Sequence, residues 1–158
     1  MSYRVYFTTP LLPGDPLPPL ESVSAVVLIA RDAEGKVLCT RHKEEKRGWD
    51  FPGGHLESGE DILETLRREV MEEVGAHIDA AVPIATITSG DIEGPYKGKC
   101  MCIFATTSFT LLDEWTPDPE IADRALLDPE VFLEKHMGDR ETMRKLIELA
   151  NQRREPSR

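Results

Sequence analysis

The sequence predicts an α/β fold of the mixed (α+β) kind, with a mixed β-sheet held between helices in one domain. Three observations predict it. The chain has 158 residues, enough for one well-buried core and too few for two ordinary ones. Its composition, 40% hydrophobic and 30% charged, excludes disordered and fibrous classes. Short β-branched runs alternate with stretches of helical spacing, with no internal repeat and no linker, as a sheet flanked by helices requires.

The elements follow in order. Residues 1–19 read as a proline-rich N-terminal arm and residues 20–158 as the domain itself. Five prolines between positions 10 and 19 keep that stretch out of helix interiors and central strands. Residues 22–30, SVSAVVLIA, are a strand buried on both faces; 31–36 turn, and 37–40 return as a second strand. A basic patch comes next, Arg41, His42, Lys43, Lys46 and Arg47, ahead of Trp49. Residues 61–74 have helical spacing, with Ile62, Leu63, Leu66, Val70 and Val74 on one stripe, and Gly75 supplies the stop. Residues 82–88 and 100–110 are strands; 89–98 and 111–119, bearing glycine or proline, are loops. Residues 129–136 and 140–153 are helices, the second packing through Met143, Leu146, Ile147 and Leu149.

Charge narrows the partners. Nineteen Lys and Arg against 29 Asp and Glu leave a formal charge of -10, which repels nucleic-acid polymers at long range. The longest apolar run, residues 23–30, is too short to cross a bilayer, so no membrane partner is expected. No secretory signal is visible at the N-terminus, and three cysteines without a CxxC pair predict a reduced, cytoplasmic setting.

The chemistry lies in residues 54–76, GHLESGEDILETLRREVMEEVGA. At about 100° per residue, with Ile62 at zero, the apolar stripe spans roughly 0° to 120°. Glu69, Glu72 and Glu73 fall at about -20°, -80° and +20°, on the flank of that stripe and not opposite it. Glu69 and Glu73 are a like-charge pair one turn apart, which is unfavourable on a helix and more so when part-buried. Arg67 and Arg68, at about 140° and 240°, are expected not to reach the centre of the cluster. A divalent cation would relieve the repulsion, and hard oxygen donors suit Mg²⁺ or Mn²⁺ better than zinc. An ordinary charged flank with salt bridges is the competing reading.

The spacing decides between them. Gly54, five residues, Glu60, seven residues, then Arg68-Glu69-Val70-Met71-Glu72-Glu73-Val74-Gly75-Ala76 resembles the box of the Nudix hydrolases, G-x5-E-x7-R-E-U-x-E-E-x-G-U with U apolar. Every fixed residue is present, preceded by Trp49 and by Phe51-Pro52-Gly53-Gly54; Ala76 is smaller than the usual last apolar residue. The resemblance implies a sandwich of a mixed sheet between helices with the box as loop, helix and loop. It implies Glu69, Glu72 and Glu73 as ligands of Mg²⁺, or Mn²⁺ in its place, helped by a backbone carbonyl at Gly53 or Gly54. Glu60 and Arg68 are then the family's structural ion pair, with Gly59 and Gly75 as structural glycines of the box.

The implied reaction is hydrolysis of the diphosphate in a nucleoside diphosphate-linked small molecule. The general base is a box glutamate, Glu73 or Glu69, or Glu120 from a later loop, with Asp118 and Glu114 as weaker competitors. A (d)NTP or modified nucleotide is the first substrate expected. ADP-ribose or another nucleotide sugar, and dinucleoside polyphosphates, are alternatives, as is a non-catalytic nucleotide-sensing module. Arg41 and Lys43 are candidate phosphate clamps. Tyr96 is the best of four aromatics for a base contact, ahead of Trp49, Phe51 and Phe104. Nudix proteins are often dimers, so a homodimer is the assembly the resemblance implies.

Overall fold

The computed structural model describes residues 6–89 and 97–153. Strands β1 (Tyr6–Pro10), β2 (Val23–Ala30), β3 (Val37–His42), β4 (Trp49–Asp50) and β5 (Gly53–His55) precede helix α1 (Ile62–Val74). Strands β6 (Ala76–Ser89), β7 (Cys100–Leu111) and β8 (Ile121–Leu127) follow it, and helices α2 (Pro129–Lys135) and α3 (Arg140–Gln152) come last. The fold is α/β with a mixed sheet and three helices among the described residues.

The strands form two sheets where the sequence predicts one. The larger has the order β1-β6-β7-β2-β5, antiparallel except for the parallel pair β2–β7, and the smaller has the order β4-β3-β8. Four strands escaped the sequence reading, the short β4 and β5 just before α1 and the longer β1 and β8. Tyr6–Pro10, inside the stretch read as an arm, pairs antiparallel with β6 at the sheet edge, where a proline deprives no neighbour of a donor. Ile121–Leu127 pairs with β3, although Asp123 and Arg124 interrupt its apolar alternation.

The larger sheet is covered on both faces. Val26, Leu28, Ala30, Cys102 and Phe104 pack with Leu66, Val70 and Val74 of α1. Ile29, Ile87, Ile103 and Ala105 pack with Phe132 of α2 and with Leu146 and Ile147 of α3. Successive residues of β2 thus serve opposite helices, as the period of a strand dictates. Among the described residues no helix is long and apolar enough to cross a membrane.

Helix α1 carries its own start and stop signals. The Asp61 carboxylate accepts the Glu64 N–H at 2.8 Å as N-cap. At the other end Gly75 adopts φ +59°, the left-handed conformation that stops a helix, and its N–H bonds to the Met71 carbonyl. The buried stripe is shifted from the one predicted at the N-terminal end: Thr65 is fully buried, whereas Leu63 is 40% exposed. The shift is toward the acidic flank, and it carries Glu73 into the core.

Candidate functional site

The loop before α1 presses against the helix through two glycines. Strand β5 sets Gly53 opposite Val27 and Gly54 opposite Val26 of β2. A Cβ on Gly53 would run into the Val26 carbonyl and lie 2.9 Å from the Val27 Cα. One on Gly54 would meet the Glu69 carboxylate, 2.5 Å from each oxygen. Only glycine lets the backbone approach so closely. The Gly53 N–H, freed from any side chain, donates to the Glu73 carboxylate at 2.9 Å.

Glu73 is 4% exposed. Burial pushes its carboxyl up to about 8, and the negative charges of Glu69, Glu120 and Asp50 push the same way, against the Gly53 hydrogen bond. Glu69 is raised as well, by burial first and then by Glu72 and Asp118, with Arg68 opposing. Glu72 stands at the rim with its side chain 41% exposed.

Arg68 ties this end of the site together. Its Nε and Nη2 donate to the two oxygens of Glu60 at 2.7 and 2.9 Å, and Nη2 also donates to the His55 carbonyl at 3.1 Å. Thr65 Oγ1 and the Glu57 N–H donate to Glu60 at 3.0 and 2.9 Å. The Arg68 fork holds the Glu60 carboxyl down at about 2. Gly59, at φ +86°, makes the turn into Glu60. Contrary to the wheel, Arg68 does reach the acidic cluster: Nη1 donates to Glu69 at 2.9 Å and to Glu72 at 3.2 Å. A long side chain bends across its own turn, which a projection of Cβ directions leaves out.

Among the described residues no three acidic, imidazole or thiol side chains converge closely enough to coordinate one ion. Glu69 and Glu72 lean on Arg68, while Glu73 turns to the Gly53 amide. The donor set nevertheless fits a hard dication. It is all oxygen, it is crowded with like charge, and the space a Cβ would take at Gly54 is filled by the Glu69 carboxylate.

The later loop closes over the helix. The Asp118 N–H donates to the Glu72 carbonyl at 3.0 Å, and the Lys43 N–H to the Glu120 carbonyl at 2.8 Å. Glu120 lies close enough to Glu73 and His42 for its charge to act on both.

Beside Glu73 and Gly53 opens a chamber of about 310 Å³. Its apolar walls include Ile87, Met101, Ile103, Met143 and Leu146, and its polar lining includes His42, Asp50, His136 and Asp139. His136 is 5% exposed, with Nδ1 3.0 Å from the Trp49 carbonyl and 3.9 Å from the Asp50 carboxylate. His42 is 4% exposed, and its buried Nδ1 has no hydrogen-bond partner among the described residues. Burial lowers its pKa, as does the nearby Arg47.

Sequence reasoning missed Asp50, His136 and Asp139 and reached His42 only as one member of the basic patch. Of the basic patch, His42 and Arg47 line the chamber, while Arg41 and Lys43 are exposed and are not among its lining residues. Arg41 lies instead over the Trp49 ring, 5.9 Å from its centroid. Phe51 lines the chamber but stacks on Phe132, and Phe104 is buried in the α1 core. Tyr96 lies outside the described residues. No local signal separates His42 from its neighbours, because its place follows from the register shift between β3 and β8 at Arg41/His42.

Comparison with known proteins agrees with this fold. A family model described as NUDIX domain matches residues 21–149. The human protein named 8-oxo-dGDP phosphatase NUDT18 is 30% identical over 151 residues, which is 92% of this chain and 45% of that protein. The protein of Buchnera aphidicola named 8-oxo-dGTP diphosphatase is 50% identical over 40 residues, 25% of this chain and 32% of that protein. The chain thus spans less than half the length of these relatives. The solved structure of the Bacillus subtilis pyrophosphohydrolase BsRppH, in a mutant form, matches with a TM-score of 0.65 at 21% identity. That match covers 96% of this chain and 94% of that one, and shows the shared fold.

Proposed function

The chain belongs to the NUDIX domain family, whose members are hydrolases acting on pyrophosphate bonds, and from that premise we propose that it hydrolyses the diphosphate of a (d)NTP or modified nucleotide, an oxidised purine nucleotide first among them. The observation that carries the proposal is the chamber opening directly onto Glu73 and the Gly53 amide. Its volume, about 310 Å³, sits at the low end of the ~300–1,000 Å³ usual for small-ligand pockets. That suits one nucleoside better than the two of a dinucleoside polyphosphate. The similarity to relatives named for 8-oxo-dGDP and 8-oxo-dGTP supports an oxidised purine in particular.

In this reading the chamber takes the base between apolar walls, with His42, Asp50 and His136 as polar partners. The diphosphate then lies along Gly53 and Gly54, beside the Glu73 and Glu69 carboxylates. Glu69, Glu72, Glu73 and the backbone carbonyl of Gly54 would hold Mg²⁺, or Mn²⁺ in its place. Such an ion, when bound, neutralises phosphate charge and lowers the pKa of water. Before an ion binds, Arg68 keeps Glu69 and Glu72 oriented, and throughout it holds the loop to the helix through Glu60. Taking the proton from the attacking water falls to Glu120 or to a box glutamate, Glu73 or Glu69. A reduced, cytoplasmic setting is part of the same proposal.

The test is a substrate panel with Mg²⁺ or Mn²⁺, products being identified by mass. Oxidised purine nucleoside di- and triphosphates are expected to turn over with the highest kcat/KM. A preference for ADP-ribose or a dinucleoside polyphosphate would replace the substrate, and no turnover of any member would reject the activity. With the best substrate, Glu120→Gln is expected to lower kcat by about 10²–10⁴-fold, the usual worth of a positioned general base, with Mg²⁺ affinity little changed. An unchanged kcat would move the base to the box.

A further inference from the structure

Helix α1 ends in consecutive carbonyls of Glu72, Glu73, Val74 and Gly75, and each finds a donor outside the helix. The Asp118 N–H donates to Glu72 at 3.0 Å and the Thr40 hydroxyl to Glu73 at 3.4 Å. Arg124 Nη1 donates to Val74 at 2.7 Å, and the Leu112 N–H to Gly75 at 2.9 Å. Thr40 and Arg124 are register partners across β3 and β8, so one rung of the small sheet faces the end of the helix. Arg124 does more than cap it. Its Nη2 donates to the Leu112 carbonyl at 2.6 Å, and its guanidinium lies 4.7 Å from the centroid of the Trp115 ring. Trp115 in turn packs on the bare Cα of Gly75, where a Cβ would come within 2.7 Å of Cδ2.

One planar group therefore touches the last turn of the helix that carries Glu69, Glu72 and Glu73, and both the start and the middle of the loop that carries Asp118 and Glu120. We propose that Arg124 is a positioning residue that locks the loop 112–120 in register with the acidic residues of α1. The proposal rests on the reading that Glu120 serves hydrolysis at this site. Lysine would keep a positive charge at the helix C-terminus, where the dipole favours it. It cannot supply the rigid fork that joins Val74 to Leu112, nor the flat face against Trp115.

The test uses Arg124→Lys in the full chain, with Arg124→Gln as a second variant if the first does not fold. In amide hydrogen exchange, Leu112 and Asp118 are expected to exchange at least tenfold faster, while Val70 in α1 and Ile103 in β7 stay within twofold. Unaltered exchange in the loop, or acceleration everywhere alike, would overturn the proposal. In turnover, kcat is expected to fall at least tenfold with KM within twofold, and the same substitution in a Glu120→Gln background to cost no further kcat. Independent, multiplying losses would show that Arg124 does not act through Glu120. If Glu120→Gln alone leaves kcat intact, the assignment of Glu120 fails, and the exchange experiment still decides whether Arg124 holds the loop.

Discussion

Glu73→Gln is expected to lower kcat at least a hundredfold and to make the metal-free protein more heat-stable at pH 8 than the wild type. Both effects come from the same burial. The Glu73 carboxyl is pushed up to about 8 from an ordinary 4.5 by its place under β5 and by Glu69, Glu120 and Asp50 around it. The folded state therefore binds a proton that the unfolded state releases between those two values. Stability falls as pH rises from 4.5 to 8 and levels off above. Glutamine keeps the shape and the acceptor for the Gly53 N–H but cannot ionise, so the variant escapes this loss. The difference is on the order of a few kcal/mol at most, or several degrees of melting temperature. Calorimetry with a chelator from pH 5 to 9 should show the two melting curves converging in acid and separating in base. Adding Mg²⁺ should lift the wild type more than the variant. Parallel curves over the whole range, or wild-type turnover by the variant, would contradict the role given to Glu73.

Gly53→Ala and Gly54→Ala are expected to fail in opposite ways although they are adjacent. A methyl at Gly53 runs into the backbone of β2, at Val26 and Val27, and backbone cannot step aside. Overpacking of this kind costs about 1–3 kcal/mol, or roughly 2–12 °C in a domain of this size. The nearest atoms to a methyl at Gly54 are those at the end of a flexible side chain, the Glu69 carboxylate, which can move. Folding should be spared, but the displaced carboxylate should reduce kcat by about a hundredfold, as an ångström of misplacement can. Melting and turnover of the two variants check this. A Gly54→Ala enzyme with full activity would remove Glu69 from the site.

The sequence yields most where chemistry fixes the spacing. The box, the stop at Gly75 and the acidic flank of α1 are all local, and the helical period places them without knowledge of the rest. Parts that depend on pairing across the chain are hidden. Strand β8 is recognisable only opposite β3, and the exposed Arg41 and Lys43 are distinguished from the inward His42 by a register that shifts at Arg41/His42. The chamber needs His42 of β3, Asp50 of β4 and His136 and Asp139 of the α2–α3 connection, and nothing local in the sequence joins these three segments. Arg68 pairs with Glu60, and its reach to Glu69 and Glu72 depends on a bent side chain and not on helix phase.

The most direct measurement is anomalous diffraction from a crystal soaked in Mn²⁺. A peak within ligating distance of the Glu69, Glu72 and Glu73 carboxylates, with Arg68 turned from Glu69 and Glu72 toward Glu60 alone, is the result expected. A well-occupied peak elsewhere, with Arg68 still bridging Glu69 and Glu72, would contradict the account.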